Sequence, residues 1–197
     1  MDFAWIIGRV QRLLLSPASE WDAIAGETAD VQKIYMTYVG PLVIASALAA
    51  AIGLSMVGIA GYRLGLGTVL TQMIIQVVLG LVMVYVVAFV INALAPQFGA
   101  TQDMGQAFKL AAYAPTASWV ASLLMIIPAL GILAALGGLY SLYLLYVGLP
   151  KLMKPAQDKA LVYTVAIIAV MIVVAVVISA ISATMMPSVT PMMMRNY

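Results

Sequence analysis

Val69-Leu-Thr-Gln-Met-Ile-Ile-Gln-Val-Val-Leu-Gly-Leu-Val-Met-Val-Tyr-Val-Val-Ala-Phe-Val-Ile-Asn-Ala-Leu-Ala95 contains no charged residue. A helix needs about 20 apolar residues to cross a bilayer, and this stretch exceeds that length. Four more stretches read the same way: Tyr35–Gly61, Phe108–Ile127, Ala129–Leu149 and Ala160–Met186. Together they predict an all-α membrane protein, a bundle of five transmembrane helices with short amphipathic helices at its N-terminus. The spans occupy residues 35–186. Residues 1–34 form a polar-to-amphipathic leader to the first span, and 187–197 form a Met-rich tail.

The composition agrees. Of 197 residues, 65% are hydrophobic and 8% charged, where a soluble domain carries about 25% charged residues. Mean hydropathy is +1.11. Lipid therefore replaces water around most of the surface. The formal net charge of +2 is too small to point to nucleic acid. Cysteine and histidine are absent, which removes disulfides, thiol chemistry, His-ligated haem and the usual zinc sites. No cofactor is expected. The N-terminus does not read as a cleavable signal, because Arg9 and Arg12 interrupt its apolar positions.

Basic residues favour cytoplasmic loops. With the N-terminus in the cytoplasm, Arg9, Arg12, Lys33, Lys109, Lys151, Lys154 and Lys159 lie inside, and Arg63 and Arg195 outside. The expected topology is thus N-terminus in and C-terminus out.

In Asp2–Leu15, Phe3, Ile6, Ile7, Val10, Leu13 and Leu14 share one helical stripe, with Arg9, Gln11 and Arg12 away from it. This fits a helix lying on the membrane surface, or one packed against the underside of the bundle. Ser16-Pro17 then supplies a cap and a first helical position, and Gly26 a stop. Trp21 and Ile24 are expected to face the membrane, with Glu20 and Asp22 in water. Ala45, Ala49 and Gly53 form a small-residue face on the first span, and Ala175, Ser179 and Ala183 another on the last. Such faces serve close packing within a bundle, or between two copies as a homo-oligomer. The short link through Pro128 forces spans three and four to be antiparallel neighbours.

Three Tyr–Pro elements recur: Tyr38-Val39-Gly40-Pro41, Tyr113-Ala114-Pro115 and Tyr146-Val147-Gly148-Leu149-Pro150. The topology places all three at cytoplasmic helix ends, in one layer with Lys33, Lys109, Lys151 and Lys154. A proline within a helix frees a carbonyl that a neighbour must satisfy, which a Tyr hydroxyl or a Lys ammonium can do. Tyr38, Pro41, Lys109, Tyr113, Pro115, Tyr146, Pro150 and Lys151 are therefore a candidate binding layer for a lipid headgroup or a protein partner. The competing reading is an aromatic and basic belt at the membrane interface. A second set, Gln72, Gln76, Asn92, Tyr140 and Tyr143, is either interhelical glue or the lining of a polar path. No acidic or basic residue falls near a span centre, which counts against a coupled transporter. No catalytic set is visible at membrane depth. The Met192–Met194 run offers thioethers, but without His or Cys beside it the tail reads as a frayed terminus.

The stretch Leu94-Ala95-Pro96-Gln97-Phe98-Gly99, then Phe108-Lys109-Leu110-Ala111-Ala112-Tyr113-Ala114-Pro115, then Gly137-Gly138-Leu139-Tyr140-Ser141-Leu142-Tyr143-Leu144-Leu145-Tyr146-Val147-Gly148-Leu149-Pro150 carries a resemblance. With Ser16-Pro17, Trp21 and Tyr38-Val39-Gly40-Pro41, it resembles the bacterial branch of the Yip family (Ypt-interacting membrane proteins), over about Pro17 to Ala183. The resemblance implies five spans and a cytoplasmic N-terminus; the convergence of the Tyr–Pro–Lys layer on one side leads to the expectation of a non-enzymatic protein of the bacterial inner membrane that acts by binding partner proteins or lipids. A small passive channel or transporter is the alternative. Eukaryotic relatives bind small GTPases of the Rab type. Their motif has an acidic residue before Tyr-Gly-Pro, whereas Thr37-Tyr38-Val39-Gly40-Pro41 lacks it and inserts Val39.

Overall fold

A computed structural model describes residues 2–58, 65–156 and 158–185. Every regular element among them is helical. Helix α1 spans Phe3–Leu15 and α2 Pro17–Gly26. Helix α3 runs Val31–Val57 and α4 Leu66–Phe98. Helix α5 covers Met104–Tyr113, and α6 covers Thr116–Ser122 before a tighter turn over Leu123–Ile126. Helices α7, Gly131–Met153, and α8, Ala160–Met185, complete the chain. Among the described residues, α3, α4, α7 and the Ala160–Ile178 part of α8 are long and apolar enough to cross a membrane. Arg63, the Met-rich tail and the side chains of Ser179 and Ala183 lie outside what is described.

Aspartates start three helices. Asp2, Asp30 and Asp103 accept backbone N–H groups in the first turns of α1, α3 and α5, satisfying donors that have no partner inside a helix. Pro17 opens α2 as expected, but the Ser16 side chain makes no capping bond. The Ser16 carbonyl accepts the Ser19 hydroxyl instead, at 3.0 Å.

The sequence predicts one unbroken span over Phe108–Ile127, and here the structure differs. Helix α5 ends at Tyr113 and α6 begins at Thr116. Pro115 has no N–H for the carbonyl four residues back, and its ring crowds that turn. The path from Met104 to Ile126 still traverses the bundle. It begins beside α2, where Gln106 donates to the Ala25 carbonyl at 3.2 Å. It ends against the last turn of α3, where a Cβ placed on Gly53 would fall 2.0 Å from the Met125 carbonyl oxygen.

Helices α6 and α7 pack as antiparallel neighbours. The Ser118 N–H donates to Ser141 Oγ at 2.9 Å, and the two hydroxyls lie 2.9 Å apart. A Cβ on Gly137 would sit 2.3 Å from Ala121 Cβ and 2.7 Å from the Ala117 carbonyl oxygen. Gly137→Leu is therefore expected to force α6 from α7. Overpacking typically costs about 1–3 kcal/mol, and a lower melting temperature in detergent is the readout. The small-residue face of α3 also turns inward: Ala49 and Gly53 are buried, and Ser46 Oγ donates to the Trp119 carbonyl at 3.0 Å.

Two links close the same end of the bundle. Thr101 N–H donates to the Met153 carbonyl at 2.8 Å, and Ala156 N–H to the Phe98 carbonyl at 3.2 Å. Phe98 stacks on Tyr163 with ring centroids 4.7 Å apart, and the Tyr163 hydroxyl donates to the Ile91 carbonyl. Helices α1 and α2 dock at this end. All described charged residues belong to the hairpin, the start of α3, the start of α5 or the α7–α8 link. Away from this end the outward side chains are uncharged among the described residues and mostly apolar, as with Ile74, Val78 and Val82 on α4.

Candidate functional site

The centre of the docked end is Arg9. The guanidinium is 4% exposed and lies 2.9 Å from Glu20 and 2.5 Å from Glu27. Arg12 reaches Glu20 from the other side at 2.7 Å. Aromatic faces complete the shell, with the Arg9 guanidinium carbon 5.0 Å from the Trp5 ring centre and 5.4 Å from that of Tyr113. Burial works against the charge. The hydrogen bond to Glu27 and the surrounding negative charge outweigh it, so the Arg9 pKa is raised above its ordinary value. A buried charge is tolerated when it is paired in this way.

These contacts correct the reading of the N-terminal segment. Helix α1 is turned so that Ile6, Arg9 and Leu13 face inward, while Phe3 and Ile7 face out. The apolar stripe alone would have put Val10 at the centre of the buried face. The ion pairs to α2 rotate the helix away from that position. Trp21 and Ile24, expected at the membrane, are fully buried, and Glu20, expected in water, is 5% exposed. Trp21 fits a notch opposite Gly148, where a Cβ would come within 2.6 Å of Trp21 Cε2 and 2.8 Å of Leu110 Cδ1. Glycine is the residue that lets the indole approach α7.

Lys109 also differs from its expected role. It is 1% exposed, and its ammonium donates to the carbonyls of Ile24 at 2.7 Å, Ala25 at 3.3 Å and Glu27 at 2.7 Å. All three protons are used at the C-terminal end of α2, where carbonyls lack intrahelical partners and the helix dipole favours a cation. Lys109 thus clamps α2 onto α5 and does not serve a proline.

The break between α5 and α6 is tied by another residue. The Thr116 hydroxyl donates to the Tyr113 carbonyl at 2.6 Å and lies 2.7 Å from the Tyr38 hydroxyl. The Tyr38 and Tyr113 rings pack with centroids 4.7 Å apart. Thr116→Val keeps the shape and removes the bonds. It is expected to lower stability by about 1–3 kcal/mol, because the buried Tyr38 hydroxyl loses its partner. Thermal unfolding compared with Thr116→Ser is the check, since serine restores the hydroxyl.

Of the predicted binding layer, Tyr38, Tyr113 and Lys109 thus meet inside the docked end. Pro41 and Pro115 are half-buried beside them. Lys151 stands at the rim, 2.8 Å from Asp22. Tyr146 and Pro150 lie on the outer face of α7, exposed and apart from the rest. The polar-path residues are not brought to one lining. Gln76 and Tyr143 are exposed on different helices, and Gln72 is half-buried. The Tyr140 hydroxyl donates to the Leu14 carbonyl at 2.7 Å. The Asn92 carbonyl accepts from Gln102 at 3.3 Å.

Sequence reasoning missed Arg9, Glu20, Glu27 and Thr116 as parts of this site. A signal was present: two arginines on one helix, a Ser-Pro turn, then Glu20 on the next. A connection that short folds two helices against each other. Arg9 Nε, Trp21 Nε1 and Gln106 Oε1 have no hydrogen-bond partner within the described chain, so the junction is not fully satisfied by its own groups. Among the described residues no cluster of metal-ligating side chains occurs.

Apolar helices of spanning length, with the charges among the described residues gathered at one end, define a polytopic helical membrane protein, here with an N-terminal helical hairpin docked at that end. The Yip1 domain matches residues 12–178, and the chain belongs to the Yip1 domain family. No curated protein and no solved structure matches it.

Proposed function

We propose that this chain is a non-enzymatic membrane protein that engages protein partners or lipids at its docked end. The observation that carries the reading is the gathering of the described charges at that end, where Lys33, Lys154 and Lys159 are exposed and take part in no ion pair among the described residues. Juxtamembrane lysines attract anionic headgroups and acidic protein surfaces. The buried members of the Tyr–Pro layer hold the hairpin in place. The exposed rim, including Tyr146, Pro150 and Lys151, is what a partner meets. The Yip1 family is not a known enzyme family.

The same reading includes five spans, the interrupted α5–α6 path being the fifth, in a bacterial inner membrane with the N-terminus in the cytoplasm and the C-terminus outside. A passive path through the bundle is less well supported, because Gln76 and Tyr143 face outward from different helices. Photo-crosslinking side chains at positions 146 and 154 are expected to trap a protein or an anionic lipid in native membranes, and the same group at exposed Ile132 is not. Equal products from all three positions would count against a binding end. Reporter fusions to the two termini test the orientation.

A further inference from the structure

The geometry points to α1 and α2 as a re-entrant hairpin that enters one leaflet of the bilayer and turns within it, its outer flank packed against lipid acyl chains. Three contacts set its register along α7. Asp22 meets Lys151 at 2.8 Å. Trp21 fills the Gly148 notch. The Leu14 carbonyl accepts the Tyr140 hydroxyl at 2.7 Å. From Lys151 to Tyr140 is eleven residues, or about 16 Å at the helical rise. The hydrocarbon core is about 30 Å thick, so the Leu15–Pro17 turn lies near half depth when Lys151 marks the surface. Lys154 and Lys159 are exposed beside Lys151, and lipid-type surface begins at once with exposed Leu161 and Val162. At the depth of the turn the outward residues of α7, Leu139 and Leu142, are apolar and exposed.

The chemistry of the hairpin suits that position. Its four paired charges sum to zero: Arg9 and Glu20 are buried, and Arg12 and Glu27, about half exposed, each bond one of these two. Ionisable groups within a membrane are tolerated when paired and turned inward. The flank turned outward carries Phe3 and Ile7, and Leu15 at the turn is 82% exposed. Ser19 spends its hydroxyl on the Ser16 carbonyl. Arg12, the half-exposed cation, remains bonded to Glu20.

The natural absence of cysteine makes the test direct. Single variants Ser16→Cys at the turn and Thr28→Cys beyond the hairpin carry a nitroxide in the full chain, reconstituted in phosphatidylglycerol–phosphatidylethanolamine vesicles. The Ser16 label is expected to collide several-fold more with oxygen than with a water-soluble nickel chelate, and the Thr28 label the reverse. Ala18→Cys repeats the measurement should Ser16→Cys fail to fold. A turn label that meets the nickel chelate as freely as the Thr28 label overturns the proposal and leaves the hairpin on the surface. The binding end proposed above would survive that outcome, because crosslinking at its rim reads it independently.

Discussion

Glu20→Ala is expected to release the N-terminal hairpin from the bundle. Glu20 lies between Arg9 and Arg12 and bonds both. Without it, Arg9 remains buried with Glu27 alone, and that carboxylate is itself 41% exposed. Removing one partner of a buried pair costs about 3–5 kcal/mol, because the other charge is left uncompensated. Arg9→Leu should cost less, since Glu20 keeps Arg12. The double change Arg9→Leu with Glu20→Leu should recover part of the loss, because no buried charge then remains in that pair. The measurement is trypsin cleavage after Arg12 in detergent micelles, together with the melting temperature. Cleavage at the parental rate in Glu20→Ala would show that the ion cluster does not hold the hairpin.

Trp21→Ala should have an effect of similar size by a different route. The indole is fully buried in the notch that Gly148 leaves open. Deleting a buried tryptophan costs about 3–5 kcal/mol, much of it from the cavity left behind. Gly148→Val attacks the same contact from the other side, since the new Cβ would sit 2.6 Å from Trp21 Cε2. The pair is expected to be non-additive: Gly148→Ala should be better tolerated with Trp21→Leu than with the native tryptophan, because the smaller side chain vacates the colliding atoms. Equal penalties of Gly148→Ala in both backgrounds, read by thermal unfolding, would remove the notch from the account.

The helical architecture was legible because membrane spanning imposes one strong, local requirement: a long run of apolar residues with its backbone bonds closed internally. Val69–Ala95 states that requirement outright, and α4 forms over it. Phe108–Ile127 met the same composition test, yet one missing N–H at Pro115 divided it. Composition averages over such a residue and geometry does not. The site was less legible for a related reason. Periodicity weighs Phe3, Ile7 and Val10 by their aversion to water, but beside lipid that aversion no longer decides which face turns inward. Pairing decides it, and Arg9 went inside because Glu20 and Glu27 were there to meet it. Lys109 likewise looked like a belt residue until the end of α2 arrived at its ammonium. Tyr38 and Tyr113 were expected to serve a proline break, but the hydroxyl that reaches a carbonyl there, on Thr116, is an ordinary side chain with no sequence signature.

The docked hairpin gives the molecule a taper. At the level of Arg9 two additional helices widen the cross-section, and at the level of Gly53 the hairpin is absent. A wedge of this kind crowds one lipid layer more than the other, and the sheet relaxes by bending with the wide end on its convex side. The protein should therefore accumulate on small vesicles over large ones when its wide end faces outward, and a variant that sheds the hairpin should lose that preference.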